Sequence, residues 1–147
     1  MSLGRTREAE KEAKLAVTTE PDQARGHLIL GFVHLAQINT KQAKADFNRA
    51  IELDSSDPLA RLGLGLAIIR EGKKYGIPTS AHIFYLSDAK QLVAAGLHGL
   101  GHSIRDTPVD DELIKLMKQK GAWLSATTLT REYSVFTYAK GAAWADD

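Results

Sequence analysis

The sequence predicts an α/β composite, with N-terminal antiparallel helical hairpins followed by a short parallel βαβαβ segment. Two observations lead to this fold class. Residues 1–74 carry alanine and leucine at three- and four-residue spacing, which is typical of amphipathic helices. Residues 75–147 alternate short β-prone runs with amphipathic stretches, which is the order expected of parallel βα units. The change in pattern falls at residues 72–76, and we place the domain boundary between residues 74 and 75.

Turn-forming residues divide the first half into helices. A proline at position 21 and the turn at residues 55–58 interrupt the helical spacing. The pattern therefore predicts one helix over 4–18, two helices within 24–57 and one over 58–71. Four apolar side chains of these helices are expected to be buried, namely Leu30, Phe47, Leu64 and Ile68.

The first half also repeats itself with a period of 34 residues. Leu30-Gly31 recurs as Leu64-Gly65, and the alanines at 43 and 50 match those at 9 and 16. Residues 24–57 resemble one full tetratricopeptide repeat, with partial repeats on both sides. The positions that carry the resemblance are Leu30, Gly31, Ala43, Phe47 and Ala50. The resemblance implies closely packed helices with Phe47 between them, and a segment that binds a protein or peptide. It also implies that His27 and His34 are packing residues rather than ligands.

The second half contains three predicted strands and two predicted helices. The strands are expected within residues 77–84, 97–101 and 122–129, and the helices over 86–95 and 109–120. The glycines between 96 and 101 follow no phosphate-loop spacing and indicate a helix-to-strand turn. The acidic residues that precede the second helix are interpreted as helix caps rather than cation ligands; they are Asp106, Asp110, Asp111 and Glu112.

Three short motifs in the second half carry a second resemblance. They are Ala81-His82-Ile83-Phe84, Ala94-Ala95-Gly96-Leu97 and Leu100-Gly101-His102-Ser103. With the segments that follow them, they make residues 75–140 similar to an internal fragment of an amidohydrolase-superfamily barrel, closest to imidazolonepropionase- and prolidase-like members. The resemblance implies a partial TIM barrel in which His82 and His102 end two strands and hold zinc or another divalent metal. The chemistry it implies is metal-assisted hydrolysis.

The chain lacks parts that this resemblance would require for catalysis. It contains no His-x-His pair, and a complete barrel needs about 250 residues. We therefore expect no catalytic residues, no required cofactor and no evolved catalytic activity. The leading interpretation is a chimeric or recombined protein of natural or engineered origin. The alternatives are a tetratricopeptide-type interaction module and a zinc-dependent amidohydrolase.

Composition and charge limit the classes of partner that the chain is expected to bind. Apolar residues make up 44% of the 147 residues and charged residues 25%, so the chain has the composition of a globular protein. A net charge of +1 and the absence of basic runs argue against nucleic acid. We expect no membrane partner and a cytoplasmic or recombinant source, because no apolar stretch approaches the length of a membrane span and cysteine is absent. Incomplete repeats and open strand edges predict a homo-oligomer, with exchange of segments as one possible form.

Overall fold

The computed structural model describes the backbone of residues 3–125 and the side chains from residue 6 to 125. The chain divides into two compact units, Met1–Ile77 and Pro78–Asp147, which we call unit 1 and unit 2. Within the described range, the fold consists of six helices and one three-stranded parallel sheet. This is a mostly helical α/β composite, as the sequence predicted. No helix in that range is both long enough and apolar enough to cross a bilayer.

Unit 1 consists of four helices joined by short turns. They are α1 (Leu3–Thr19), α2 (Ala24–Ala36), α3 (Thr40–Leu53) and α4 (Pro58–Lys74). Connections this short make consecutive helices antiparallel neighbours. Asn39 caps α3 by accepting a hydrogen bond from the Gln42 amide at 3.3 Å, and Asp57 caps α4 by accepting one from the Leu59 amide at 2.8 Å. The helices predicted at 4–18 and 58–71 are confirmed, each slightly longer than expected.

The core of unit 1 is built around Phe47 on α3, which is fully buried. A Cβ atom added to Gly31 on α2 would lie 2.6 Å from the Phe47 ring, and one on Gly63 of α4 would lie closer still. Neither helix could approach the ring with a larger residue at these positions. Phe32 completes the contact edge-on, with its ring centroid 5.0 Å from that of Phe47.

Four residues of unit 1 were predicted to be buried, and the two of them that lie in α4 differ from the prediction. Leu30 and Phe47 are buried as expected, but Leu64 is only half-buried. The prediction for Ile68 is wrong, since 45% of this residue is exposed. The reason is that the buried face of α4 is formed by two other rows of residues, Ala60, Gly63 and Ala67 in one and Leu62 and Ile69 in the other.

Unit 2 alternates short strands with helices. Its elements in chain order are β1 (Ser80–Ala81), α5 (Leu86–Ala95), β2 (Gly99–Leu100), α6 (Asp111–Lys120) and β3 (Trp123–Leu124). The strands pair in parallel in the order β1-β2-β3. Each lies within a predicted run but is only two residues long, and the end of the run 122–129 falls outside the described residues. Helix α6 begins at Asp111 instead of residue 109, because Asp110 caps it.

Four helices end in the same hydrogen-bonded turn. In this turn, known as a Schellman motif, one residue adopts a left-handed backbone conformation. Glycine occupies that position after α4, α5 and α6, at Gly76, Gly96 and Gly121. After α2 the position is held by Ile38, with φ of 63°, and the Asn39 amide donates to the His34 carbonyl oxygen at 2.9 Å. Ile38 is thus a β-branched residue in a conformation that suits glycine, and 73% of it is exposed.

Candidate functional site

His82 and His102 lie side by side at one edge of the sheet in unit 2. His82 directly follows β1 and His102 lies two residues beyond β2, and parallel neighbours bring their carboxyl ends to the same edge. The centroids of the two imidazole rings are 5.1 Å apart, with the rings tilted by 44°. His82 is exposed and His102 is half-buried. The structure therefore brings together the two histidines that the sequence singled out.

A backbone contact orients the ring of His102, and a glycine leaves room for the ring of His82. The Nδ1 atom of His102 lies 2.9 Å from the carbonyl oxygen of Ser103, which can only accept a hydrogen bond. Nδ1 therefore carries the proton and donates, which leaves the lone pair of Nε2 available to a ligand. Gly101 leaves space for His82, because a Cβ atom there would lie 3.0 Å from its Cε1 atom.

The histidine pair is smaller than the ligand set of a zinc site. Structural zinc has four protein ligands and catalytic zinc usually has three. In residues 6–125, the structure contains no cluster of three or more histidine or carboxylate side chains placed to hold a metal. His98 lies apart from the pair, at the amino end of β2, where its Nδ1 atom accepts a hydrogen bond from the Thr79 amide at 3.3 Å. His82 and His102 thus place two imidazole side chains together, which is fewer than the protein ligands of a zinc site.

The cap prediction holds for one of the four acidic residues on the expected helix, because Asp111 and Glu112 lie within the first turn of α6 and Asp106 contacts a different helix. Asp110 accepts a hydrogen bond from the Leu113 amide at 3.0 Å and so caps α6. Asp106 accepts one from the Leu86 amide at 2.9 Å, which caps α5. Sequence analysis missed the second contact because Leu86 lies 20 residues earlier in the chain.

Asp110 also forms an ion pair with a lysine of α5. The Lys90 ammonium donates to Asp110 at 2.6 Å and also contacts Glu112. The contact with Lys90 and the amide of Leu113 hold the pKa of Asp110 below its usual value, and the contacts with Asp110 and Glu112 raise the pKa of Lys90. The ionised form of Asp110 is therefore stabilised in the folded protein.

We expect Asp110→Asn to lower the stability of unit 2 slightly at neutral pH. Asparagine can still cap the helix, so the loss reports the charge pair with Lys90. Because the folded pKa of Asp110 is lowered, its contribution is complete above the ordinary aspartate pKa and is lost as pH falls through the lowered value. Urea unfolding at several pH values should therefore show the two proteins converging in acid. Asp111→Asn is the matched control, and an equal loss in that variant would contradict the assignment.

The two histidines of unit 1 contact partners within that unit. His34 on α2 lies with its Nδ1 atom 2.6 Å from a carboxylate oxygen of Asp46 on α3, and both side chains are largely buried. His27 has its Nε2 atom 3.0 Å from the carbonyl oxygen of Pro21. Sequence analysis treated both as packing residues and missed Asp46, although this residue directly precedes the core residue Phe47.

A groove of about 460 Å³ runs between α1 and α2 in unit 1. Leu15 and Ile29 are its larger apolar residues, and they are 59% and 40% exposed. Charged side chains stand around them, namely Glu12, Glu20 and Arg25. Sequence analysis did not identify this groove, since its apolar residues come from two helices and follow no local pattern.

Comparison with known proteins gives no relative for this chain. No protein-family model, no curated protein and no solved structure matches it. The two candidate sites are therefore defined by their own geometry, as a histidine pair in unit 2 and an apolar groove in unit 1.

Proposed function

We propose that this chain joins a tetratricopeptide-like protein-interaction segment to a non-catalytic fragment of an amidohydrolase-like partial TIM barrel. The observation that supports the interaction role is the groove between α1 and α2. An exposed apolar surface with charged residues around it is typical of a surface that binds another protein. The close packing of α2 and α4 against Phe47 supports the repeat-like character of the segment.

The groove suits a peptide that has an apolar side chain beside a charged one. Leu15 and Ile29 would contact the apolar side chain, and burying it would supply the main part of the affinity. Arg25 would pair with an acidic group of the peptide and so fix its orientation. The role of unit 1 is then to hold a partner, with no chemical change to it.

Selection of a displayed peptide library against the whole chain tests this role. We expect enriched peptides whose binding to the purified protein is lost in Ile29→Asp, because a carboxylate would stand in the apolar part of the groove. Leu59→Asp is the control, since Leu59 is 52% exposed and does not line the groove. Peptides that bind Ile29→Asp as well as they bind the parent chain would contradict the assignment.

For unit 2, the amidohydrolase resemblance implies that His82 and His102 would hold the metal. A divalent metal bound there would supply an acidified water molecule. The two imidazoles can contribute nitrogen ligands, and the hydrogen bond from His102 to Ser103 presents its Nε2 atom. The full sequence has five histidines, at positions 27, 34, 82, 98 and 102, and none forms the His-x-His pair of the family. From these five histidines we expect weak metal binding at His82 and His102 and no hydrolysis.

Metal titration together with activity assays tests the assignment in unit 2. We expect cobalt or zinc to bind weakly, and His82→Ala or His102→Ala to abolish the binding. His98→Ala should leave it unchanged, because His98 lies at the other end of β2. Amide, dipeptide and imidazolone substrates should show no turnover above background with added zinc. Turnover that disappears in His102→Ala would instead establish the zinc amidohydrolase alternative.

A further inference from the structure

The two ends of unit 1 differ in charge. Helices α2 and α4 run in the same direction, so the turn at 37–39 and the end of α4 lie at one end of the unit. Contacts across the helices agree with this, since Arg70 donates to the carbonyl oxygen of Leu35 and Lys44 pairs with Glu71. The turns at 20–23 and 54–57 lie at the opposite end, where Arg49 contacts Asp22 at 3.1 Å. Helices of this length place the two ends about 20 Å apart.

The first of these, which we call the basic end, combines exposed apolar residues with lysines. Ile38 and Tyr75 are 73% and 62% exposed. Three exposed lysines surround them, namely Lys41, Lys73 and Lys74. The acidic groups in contact with this region already have partners, because Glu71 pairs with Lys44 and Glu10 with Lys14. Positive charge therefore predominates at the basic end.

The opposite end, which we call the acidic end, is concave and carries carboxylates. Its hollow, of about 660 Å³, is open to solvent. Pro21, Ala24 and Leu53 give it apolar walls, and Glu20, Asp22 and Asp54 give it negative charge. Two bases also contact this end, since Arg49 pairs with Asp22 and Glu52 and Arg61 donates to the carbonyl oxygen of Ser55, but the carboxylates outnumber them. The acidic end is thus complementary to the basic end in both shape and charge.

The backbone conformation of Ile38 is a further reason to expect a partner at the basic end. Within residues 3–125, three other helices make the same turn with glycine, so the turn itself does not require isoleucine. The side chain is also mostly exposed, so packing within the described residues does not require it either. A strained, projecting apolar residue is better explained by contact with another molecule.

We propose that copies of this chain associate head to tail, with the basic end of one copy docked on the acidic end of the next. Ile38 enters the hollow against Pro21 and Leu53. Lys41 and Lys74 face Glu20 and Asp22 of the neighbouring copy. In a dimer formed this way, one copy keeps a free basic end and the other keeps a free acidic end. Further copies can therefore add to form a chain, or the two free ends of a longer assembly can meet and close a ring. This proposal is argued from observations other than the peptide groove and the histidine pair, although Glu20 lines both the hollow and the groove.

Sedimentation of the whole protein over a range of concentrations tests the assembly. We expect the average mass to rise with concentration past the dimer, and to fall when salt screens the charges. Ile38→Gly should weaken association about tenfold, through the loss of one buried apolar side chain, while its turn remains favourable. Ile68→Ala is the matched control for an exposed isoleucine away from both ends. A monomer at all concentrations would overturn the proposal.

Two complementary variants determine which surfaces meet. The first carries Ile38→Gly, Lys41→Gln and Lys74→Gln and keeps only its acidic end. The second carries Glu20→Gln and Asp22→Asn and keeps only its basic end. We expect each to be monomeric alone and the mixture to form a dimer of one copy of each. If either variant formed a dimer alone, like ends would meet. If neither set of substitutions affected association, the copies would associate by exchanging segments. Each of these results would refute the head-to-tail arrangement.

Discussion

Phe47→Ala should destabilise unit 1 by about 3–5 kcal/mol, because it removes a fully buried aromatic ring from a site that cannot close up. On the sides of α2 and α4 the ring contacts Gly31 and Gly63, which have no side chain that could move into the cavity. A small domain is stable by about 5–15 kcal/mol, so this loss is a large part of the stability of the unit. Urea unfolding followed by far-ultraviolet circular dichroism measures it, with Ile68→Ala as the exposed control.

A companion variant tests the same packing from the other side. Gly63→Ala raises helix propensity by about 1 kcal/mol, but its methyl group would overlap the Phe47 ring, and overpacking costs about 1–3 kcal/mol. We expect a net loss that Phe47→Leu partly relieves in the double variant. If Phe47→Ala cost no more than Ile68→Ala, the ring would not be the centre of this core.

Ile38→Gly should stabilise unit 1 by about 1 kcal/mol. A left-handed conformation costs an ordinary residue about 1–2 kcal/mol, and glycine adopts it freely. Part of the gain is lost because glycine makes the unfolded chain more flexible. Few contacts disappear, since most of the isoleucine side chain is exposed. Thermal unfolding at low protein concentration measures the effect without a contribution from self-association.

Ile38→Ala separates backbone strain from side-chain loss. Alanine removes most of the side chain but keeps a Cβ atom, so it should retain most of the strain and gain little stability. If alanine and glycine stabilised unit 1 equally, the gain would come from removing an exposed apolar group and not from the backbone.

Much of the helical architecture could be predicted because its signals are local. Pro21 and the turn at 55–58 bound helices whose spacing of small and apolar residues extends over whole turns. The burial of Ile68 was predicted wrongly because the prediction used apolar character alone. Apolar character does not show that small residues such as Ala60 and Ala67 form the packed face of α4.

The candidate sites were predictable only in part. The sequence identified His82 and His102 because each follows a predicted strand and belongs to a motif of the amidohydrolase resemblance. The parallel pairing of β1 with β2 brings the two side chains together. The tautomer of His102 depends on a single backbone contact that no residue pattern reveals. The contact of Asp106 with α5 and the conformation of Ile38 depend on tertiary packing and on the geometry of one turn. Such features become visible only once the chain is folded.

The indole ring of Trp123 on β3 lies over Gly99 on β2, where an added Cβ atom would come within 2.3 Å of the ring, and this position has a spectroscopic consequence. Both tryptophans of the sequence, Trp123 and Trp144, belong to unit 2, and the segment Met1–Ile77 contains none. Intrinsic tryptophan fluorescence therefore reports on unit 2 alone. Trp123 is half exposed and lies against the backbone of β2, so separation of the strands would change its emission and its quenching by solutes. Fluorescence thus follows unit 2 of the unlabelled chain by itself, while circular dichroism follows the helices of both units.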